Sequence, residues 1–166
     1  MPFESKLNLT KALNRLTKEL KIRIVVVRGW GLTDESTLND NPNIKFIQSA
    51  PYDKLLPRVR AVVHHGGIGT IAECLKAGKP FLSCPVLYPL GDQHFWGIIA
   101  YKHGLALKPV PLRNMTENLM VELVKTLFEN EQLYLNCERM KQSLKNENGV
   151  ARAIEIIEQF RPAQVI

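Results

Sequence analysis

Cysteine is scarce in this chain of 166 residues, and what there is forms no pattern: Cys74, Cys84 and Cys137 are odd in number and include no CxxC pair. That excludes a disulfide framework and predicts reduced, partly buried thiols. Long apolar runs are also missing. None approaches the ~20 residues of a membrane span, and the opening MPFESKLNLT has no hydrophobic core of signal-peptide type, so a soluble, cytoplasmic protein with no transmembrane segment is expected. Lysine and arginine are scattered rather than gathered into an Arg-rich arm with interleaved aromatics, which speaks against a nucleic-acid partner. The formal charge of +6 suits an acidic ligand such as a nucleoside diphosphate, or a plain basic surface. There is no internal repeat, no linker and no low-complexity stretch. Residues 1–166 therefore form one domain, long enough for a core of its own.

Apolar periodicity divides the chain into alternating elements. Ser5 to Leu20 reads as an amphipathic helix on Leu7, Leu9, Leu13, Leu16 and Leu20. Ile22 to Val27 is a nearly all-apolar strand of the kind buried on both faces of a parallel sheet. Residues 29–43 read as a polar loop. Strands are expected at Ile44 to Ile47, Ala61 to Val63, Phe81 to Cys84 and Leu105 to Leu107, with a single helical turn at Pro51 to Pro57. Helices are expected at Ile68 to Ala77, Gln93 to His103, Thr116 to Glu129, Glu131 to Lys145 and Val150 to Phe160, the first of these stopped by Gly78 and Pro80. Short strands alternating with helices predict an α/β fold, a Rossmann-like parallel sheet with helices on both faces. Such domains open on a central strand. This chain opens on a helix, so that first strand is expected to be missing.

The stretch richest in chemistry is AVVHHGGIGTIAECLKAGKP, residues 61–80. A β-branched run ends in His64 and His65, three glycines follow at Gly66, Gly67 and Gly69, and a helix opens. Small residues let a ligand approach the backbone, and the first amides of the helix lack partners at the positive end of its dipole. On one reading the amides of Gly67 to Ile71, the Thr70 hydroxyl and His65 cradle a diphosphate. On the other this is a tight strand-to-helix turn with two incidental histidines. The carboxyl edge of a parallel sheet favours the first. A shared metal ion is not expected at His64 and His65, because adjacent strand residues point to opposite faces.

Three further constellations each admit two readings. In GDQHFWG (91–97), Asp92 and Gln93 stand just ahead of a helix, where Asp92 is a natural N-cap. The same placement would let a carboxylate and an amide meet vicinal hydroxyls. Phe95 and Trp96 read as core. Glu73 is a favourable charge near a helix N-terminus, or a ligand for ribose hydroxyls. In QSAPYDKLLPRV (48–59), an extended segment ahead of Pro51 leaves backbone groups free for a base edge, or is merely a loop.

HHGGIGT, KAGKP and GDQHFWG, in this order and led in by LLPRVRAVV, resemble the donor-binding, C-terminal half of GT-B glycosyltransferases, closest to the sterol and macrolide glucosyltransferase-like enzymes. The resemblance covers essentially the whole chain and implies the C-terminal half of a GT-B fold, with UDP-sugar as co-substrate, no cofactor and no metal. It implies that Ser49, Ala50 and Tyr52 border the base, and that His65 with Gly66, Gly67, Ile68, Gly69 and Thr70 holds the diphosphate. Glu73 falls where relatives bind ribose, and Asp92 with Gln93 where they contact the sugar. No catalytic residue is expected in this chain, since the base and acceptor site of such enzymes belong to an N-terminal domain for which 166 residues leave no room. The chain is then the donor domain of a hexosyltransferase acting on a small-molecule or lipid acceptor and inactive alone, with its acceptor domain in cis. Alternatives are a natural half-enzyme that needs a partner subunit, and a non-catalytic nucleotide-binding module. Ser49 stands where plant relatives stack a tryptophan on uracil.

Overall fold

The computed structural model describes residues 7–28 and 41–160, and within them helices and strands alternate in the expected order. Helix α1 (Leu9–Leu20) begins where the Asn8 side chain accepts the Lys11 N–H, a cap that satisfies one of the free amides of the first turn. The expected start at Ser5 lies outside the described residues, as does most of the loop expected over 29–43. Strands β1 (Ile24–Val27) and β2 (Ile44–Ile47) pair in parallel, Ile24 opposite Ile44. Helix α2 (Tyr52–Leu55) runs into a 3-10 turn, Leu56–Arg58. Strands β3 (Val62–His64) and β4 (Phe81–Ser83) form a second parallel pair with His64 opposite Ser83. Helix α3 (Ile68–Ala77) joins them and stops at Gly78, whose φ of 68° closes the last turn. Helices α4 (Gln93–Lys102), α5 (Glu117–Glu129), α6 (Glu131–Leu144) and α7 (Gly149–Gln159) complete the described chain.

Two apolar cores lie on opposite sides of the strands, as an α/β fold with helices on both faces demands. One gathers Ala12, Leu13 and Leu16 of α1, Leu82 of β4 and Met120, Val121, Val124 and Leu127 of α5. The other gathers Ile71, Cys74 and Ala77 of α3, Phe81 of β4, Ala100 of α4 and Cys137 of α6. Successive residues Phe81 and Leu82 fall into different cores because side chains alternate along a strand, and β4 is buried throughout. Helix α7 is different: none of its residues is buried, and Val150, Ile154, Ile157 and Phe160 are all exposed.

The structure corrects the sequence reading twice. The strand expected at Leu105 to Leu107 is reduced to a single bridge between Ala106 and Phe81. Leu107 N–H donates to Phe81 C=O, but the next bond to β4 comes from Val110 N–H to Ser83 C=O. A regular ladder would need the N–H of residue 109, which is proline and has none, so one extra residue is looped out and the ladder breaks. The sheet is also divided: β1 pairs with β2 and β3 with β4, and no ladder joins β1 to β3.

Leu127 is fully buried whereas Ile157 is exposed. Leu127→Ala is expected to cost about 3 kcal/mol of unfolding free energy and Ile157→Ala less than about 0.5 kcal/mol, both read from urea denaturation midpoints.

Candidate functional site

The site begins with the turn between β3 and α3. Alternation sends the two histidines to opposite sides, as expected. The His64 ring packs on Phe81, centroids 5.0 Å apart, while His65 is exposed and stands edge-on to it at 6.3 Å. His64 Nδ1 accepts the Gly66 N–H at 2.9 Å, so the ring proton sits on Nε2. That Nε2 is buried without a hydrogen-bond partner, as is the hydroxyl of Ser83, its register neighbour. Burial, and secondly the proximity of His65, pushes the His64 pKa down to about 4. His64 is therefore neutral near pH 7 and serves the turn as an acceptor.

Gly66 takes a φ of 94°, a region that other residues rarely adopt, and a methyl group there would lie 2.9 Å from the Gln93 carbonyl oxygen. The first turn of α4 is thus laid directly over the glycine turn. A methyl at Gly67 would meet His65 Nε2 at 2.5 Å, which places the exposed imidazole beside the start of α3. Gly69 is the opposite case: a methyl there meets nothing within 4 Å. No packing within the described chain requires that glycine.

Backbone bonding shows what the turn offers. Ile71 N–H donates to Gly67 C=O at 3.1 Å and opens the helical ladder. The N–H groups of Gly67, Ile68, Gly69 and Thr70 have no partner among the described residues, nor does the Thr70 hydroxyl. Four amides remain rather than the five expected, since Ile71 is used by the helix. Four converging amides at the positive end of a helix make an anion receptor.

The remaining predicted residues fall around this turn, but not all are free. Glu73 follows Thr70 by three positions and Gly69 by four, so it shares their side of α3; its Oε1 accepts from Lys76 Nζ at 2.8 Å. Asp92 occupies the N-cap position of α4 without capping it. Its Oδ2 instead accepts from the Trp96 ring N–H at 3.1 Å. Gln93 Oε1 accepts two amides, Val86 N–H at 2.9 Å and Leu87 N–H at 3.2 Å. The loop 86–91 is held further by Tyr88, whose ring lies 4.8 Å from that of His94 and 5.0 Å beneath the Arg113 guanidinium. Phe95, expected in the core, is exposed, whereas Trp96 packs against the core beside α3.

Ser49 and Ala50 lead into α2, which packs on α3. Neither makes a hydrogen bond among the described residues, so the Ala50 backbone is open. Tyr52 is drawn into the cluster of Leu56, Ile71 and Cys74, a packing role that the expectation of a base contact did not include. Sequence reasoning also passed over Gly97, where a methyl would collide with Ser83 Oγ and press on Pro109 at 3.0 Å. Its role is to let α4 lie against β4. The thiols of Cys74, Cys84 and Cys137 are free and buried, and desolvation raises each to about 12, so none is a nucleophile at neutral pH.

Similarity to known proteins agrees with this geometry. The chain belongs to the family described as the glycosyltransferase family 28 C-terminal domain, which it matches over residues 6–156. It is 30% identical over 165 residues to sterol 3-beta-glucosyltransferase UGT80B1 of Arabidopsis thaliana, covering 99% of this chain and 26% of that protein. It is 35% identical over 114 residues to O-mycaminosyltylonolide 6-deoxyallosyltransferase of Streptomyces fradiae, covering 69% of this chain and 26% of that protein. The chain thus spans about a quarter of the length of these curated relatives. Its fold is that of GT-B glycosyltransferases. The glycosyltransferase of kitacinnamycin superposes with a TM-score of 0.77 at 20% identity, over 98% of this chain and 40% of that one. Glycosyltransferase VinC, solved with dTDP, gives 0.75 at 18% identity over 92% and 38%. Among the described residues no helix is long and apolar enough to cross a membrane.

The depressed pKa of His64 has a consequence for stability. Its contribution is complete above pH 6.5, the unfolded value, and is lost as pH falls toward the folded value of about 4, because the unfolded chain then binds the extra proton. The loss amounts to about 3 kcal/mol. His64→Asn keeps an acceptor for Gly66 N–H and does not titrate. Denaturation midpoints of the two proteins, compared from pH 7 to pH 4, are expected to fall more steeply for the histidine form.

Proposed function

We propose that this chain is the donor-binding part of a glycosyltransferase that passes a hexose from a UDP-sugar to a lipid or small-molecule acceptor. The carrying observation is the row of unpaired amides from Gly67 to Thr70, with His65 beside them and open space over Gly69. A diphosphate fits that row: its charge meets the positive end of α3, and the missing side chain at Gly69 lets phosphate oxygens approach the backbone. A glycine in a helix with no packing reason costs stability, so the absence of any neighbour at Gly69 favours a ligand. VinC, which shares the fold, is titled as a complex with dTDP.

The remaining roles follow from placement. Ribose hydroxyls lie toward Glu73, the base toward the open backbone of Ala50, and the sugar toward Asp92 and Gln93. In the reaction an acceptor oxygen bonds to the anomeric carbon as the bond to the β-phosphate oxygen breaks, and the electron pair leaves with the nucleoside diphosphate. Amides 67–70, His65 and the α3 dipole stabilise the negative charge gathering on that leaving group. The acceptor's proton goes to a base on the remainder of the protein, which is also where the acceptor binds. The chain by itself is expected to bind donor and transfer nothing.

Titration with UDP, followed by amide NMR, is expected to shift Gly67 to Thr70 and the ring of His65 before other residues. Unmoved signals at millimolar UDP reject the reading. A parallel dTDP titration measures the preference for uracil, and an assay of sugar transfer by the chain alone is expected to be blank.

Gly69→Ala separates a ligand site from a mere turn. The methyl has room and improves helix propensity, so unfolding free energy is expected to rise by about 0.5 kcal/mol. UDP affinity is expected to drop by about tenfold, equivalent to about 1.4 kcal/mol. Stability and binding moving together would contradict a phosphate at that position.

A further inference from the structure

The division of the sheet leaves two strand edges without partners. Ile24 N–H donates to Asn43 C=O and Arg28 N–H to Ile47 C=O, so alternate residues of β1 turn toward β2 and the backbone groups of Val25 and Val27 turn away. On the other pair, Val62 N–H donates to Pro80 C=O and His64 C=O accepts Cys84 N–H. The backbone groups of Ala61 and Val63 therefore turn away from β4. None of these four residues forms a hydrogen bond among the described residues. Side chains mark the same openings. Val63 and Leu82 are register neighbours on one face, yet Leu82 is 0% exposed and Val63 44%. The difference is that β4 is flanked on both sides, by β3 and by the bridge at Ala106. Val25, on the corresponding edge of β1, is 43% exposed.

Both pairs nevertheless rest on the same helical layer. Ile24, Val26 and Phe46 from the first pair, and Ala61 and Leu82 around the second, pack into the core built by α1 and α5. Unpaired edges that share one floor define a slot of single-strand width, since neighbouring strands lie about 4.8 Å apart. Direction is set as well. Both pairs are parallel, and a parallel strand entering β1 from the β3 side needs a helical crossover. Helix α1 leads directly into β1 and has no described strand ahead of it, which is the second half of a right-handed βαβ unit.

We infer that the space between β1 and β3 receives a parallel, apolar strand from the polypeptide that precedes α1, completing the order β2–β1–strand–β3–β4. Residues 1–6, MPFESK, hold no β-branched residue, so the strand belongs to sequence N-terminal to this chain. The curated relatives, of which the chain spans about a quarter, have ample length to supply one. A strand in this place is buried on both faces and both edges, so it is a continuous apolar run, and it ends at the same sheet edge as His64. The slot stands whether or not the chain binds a nucleotide sugar.

Amide hydrogen exchange tests this. In the 166-residue chain the amides of Val25, Val27, Ala61 and Val63 are expected to exchange quickly while those of Ile24 and Val26 are protected. A leader of five valine and isoleucine residues followed by Gly-Ser, fused ahead of Met1, is expected to slow the four by about a hundredfold. The same leader with prolines at its second and fourth positions, unable to complete both ladders, is expected to leave them fast. Protection of the four in the monomeric chain without a leader overturns the inference, as does a folded fusion in which they stay fast. Protection that instead grows with chain concentration, and is not displaced by the leader in sedimentation, assigns the slot to a second copy and also overturns it.

Discussion

One short hydrogen bond organises the functional end of this molecule: the Gly66 N–H held by Nδ1 of a neutral, buried His64. It fixes the left-handed turn after β3, which aims four amides outward and leaves space for the Gln93 carbonyl of α4. The bond exists only while the imidazole is uncharged, and the packing of the ring on Phe81 keeps it so. Thus the two consecutive histidines divide their work by facing opposite ways. One is a structural acceptor beneath the turn, the other an exposed group beside the amides.

Around that turn the protein concentrates partial positive charge without gathering formal cations. The start of α3 brings four free amides and α4 begins within contact distance of Gly66, so two helix dipoles converge at one sheet edge. This arrangement recognises a diphosphate by geometry as much as by charge, which is what separates it from the scattered basic residues elsewhere. Glu73, standing on the same side of α3 but engaged only by an exposed lysine, remains exchangeable, because such surface ion pairs are worth little.

Legibility from sequence followed physical locality. Asn8, Thr116 and Gly78 carry their roles in their own side chains or lack of one, and the helices they bound were placed within a few residues. The glycine turn was legible for the same reason, since a strand, three glycines and a helix occupy consecutive positions. What was lost depended on distant partners. Pro109 breaks a ladder that begins at Phe81, Arg113 steadies Tyr88 twenty-five positions earlier, and Ser83 demands a glycine at 97. Phe95 was assigned to the core because aromatics usually go there, yet α4 turns that face outward. Tyr52 has an outlet toward Ile71 that no local pattern reveals.

The grip of Gln93 on the loop before it has a consequence for molecular recognition. With both Val86 and Leu87 N–H bound to its oxygen, the carboxamide is locked in one orientation and cannot flip. Anything arriving at the mouth of α4 meets the NH2 end of Gln93 and the spare oxygen of Asp92, a fixed donor next to a fixed acceptor. Two adjacent hydroxyls satisfy that pair only when one receives and the other gives, so the loop writes a polarity code into a residue that would otherwise accommodate either sense.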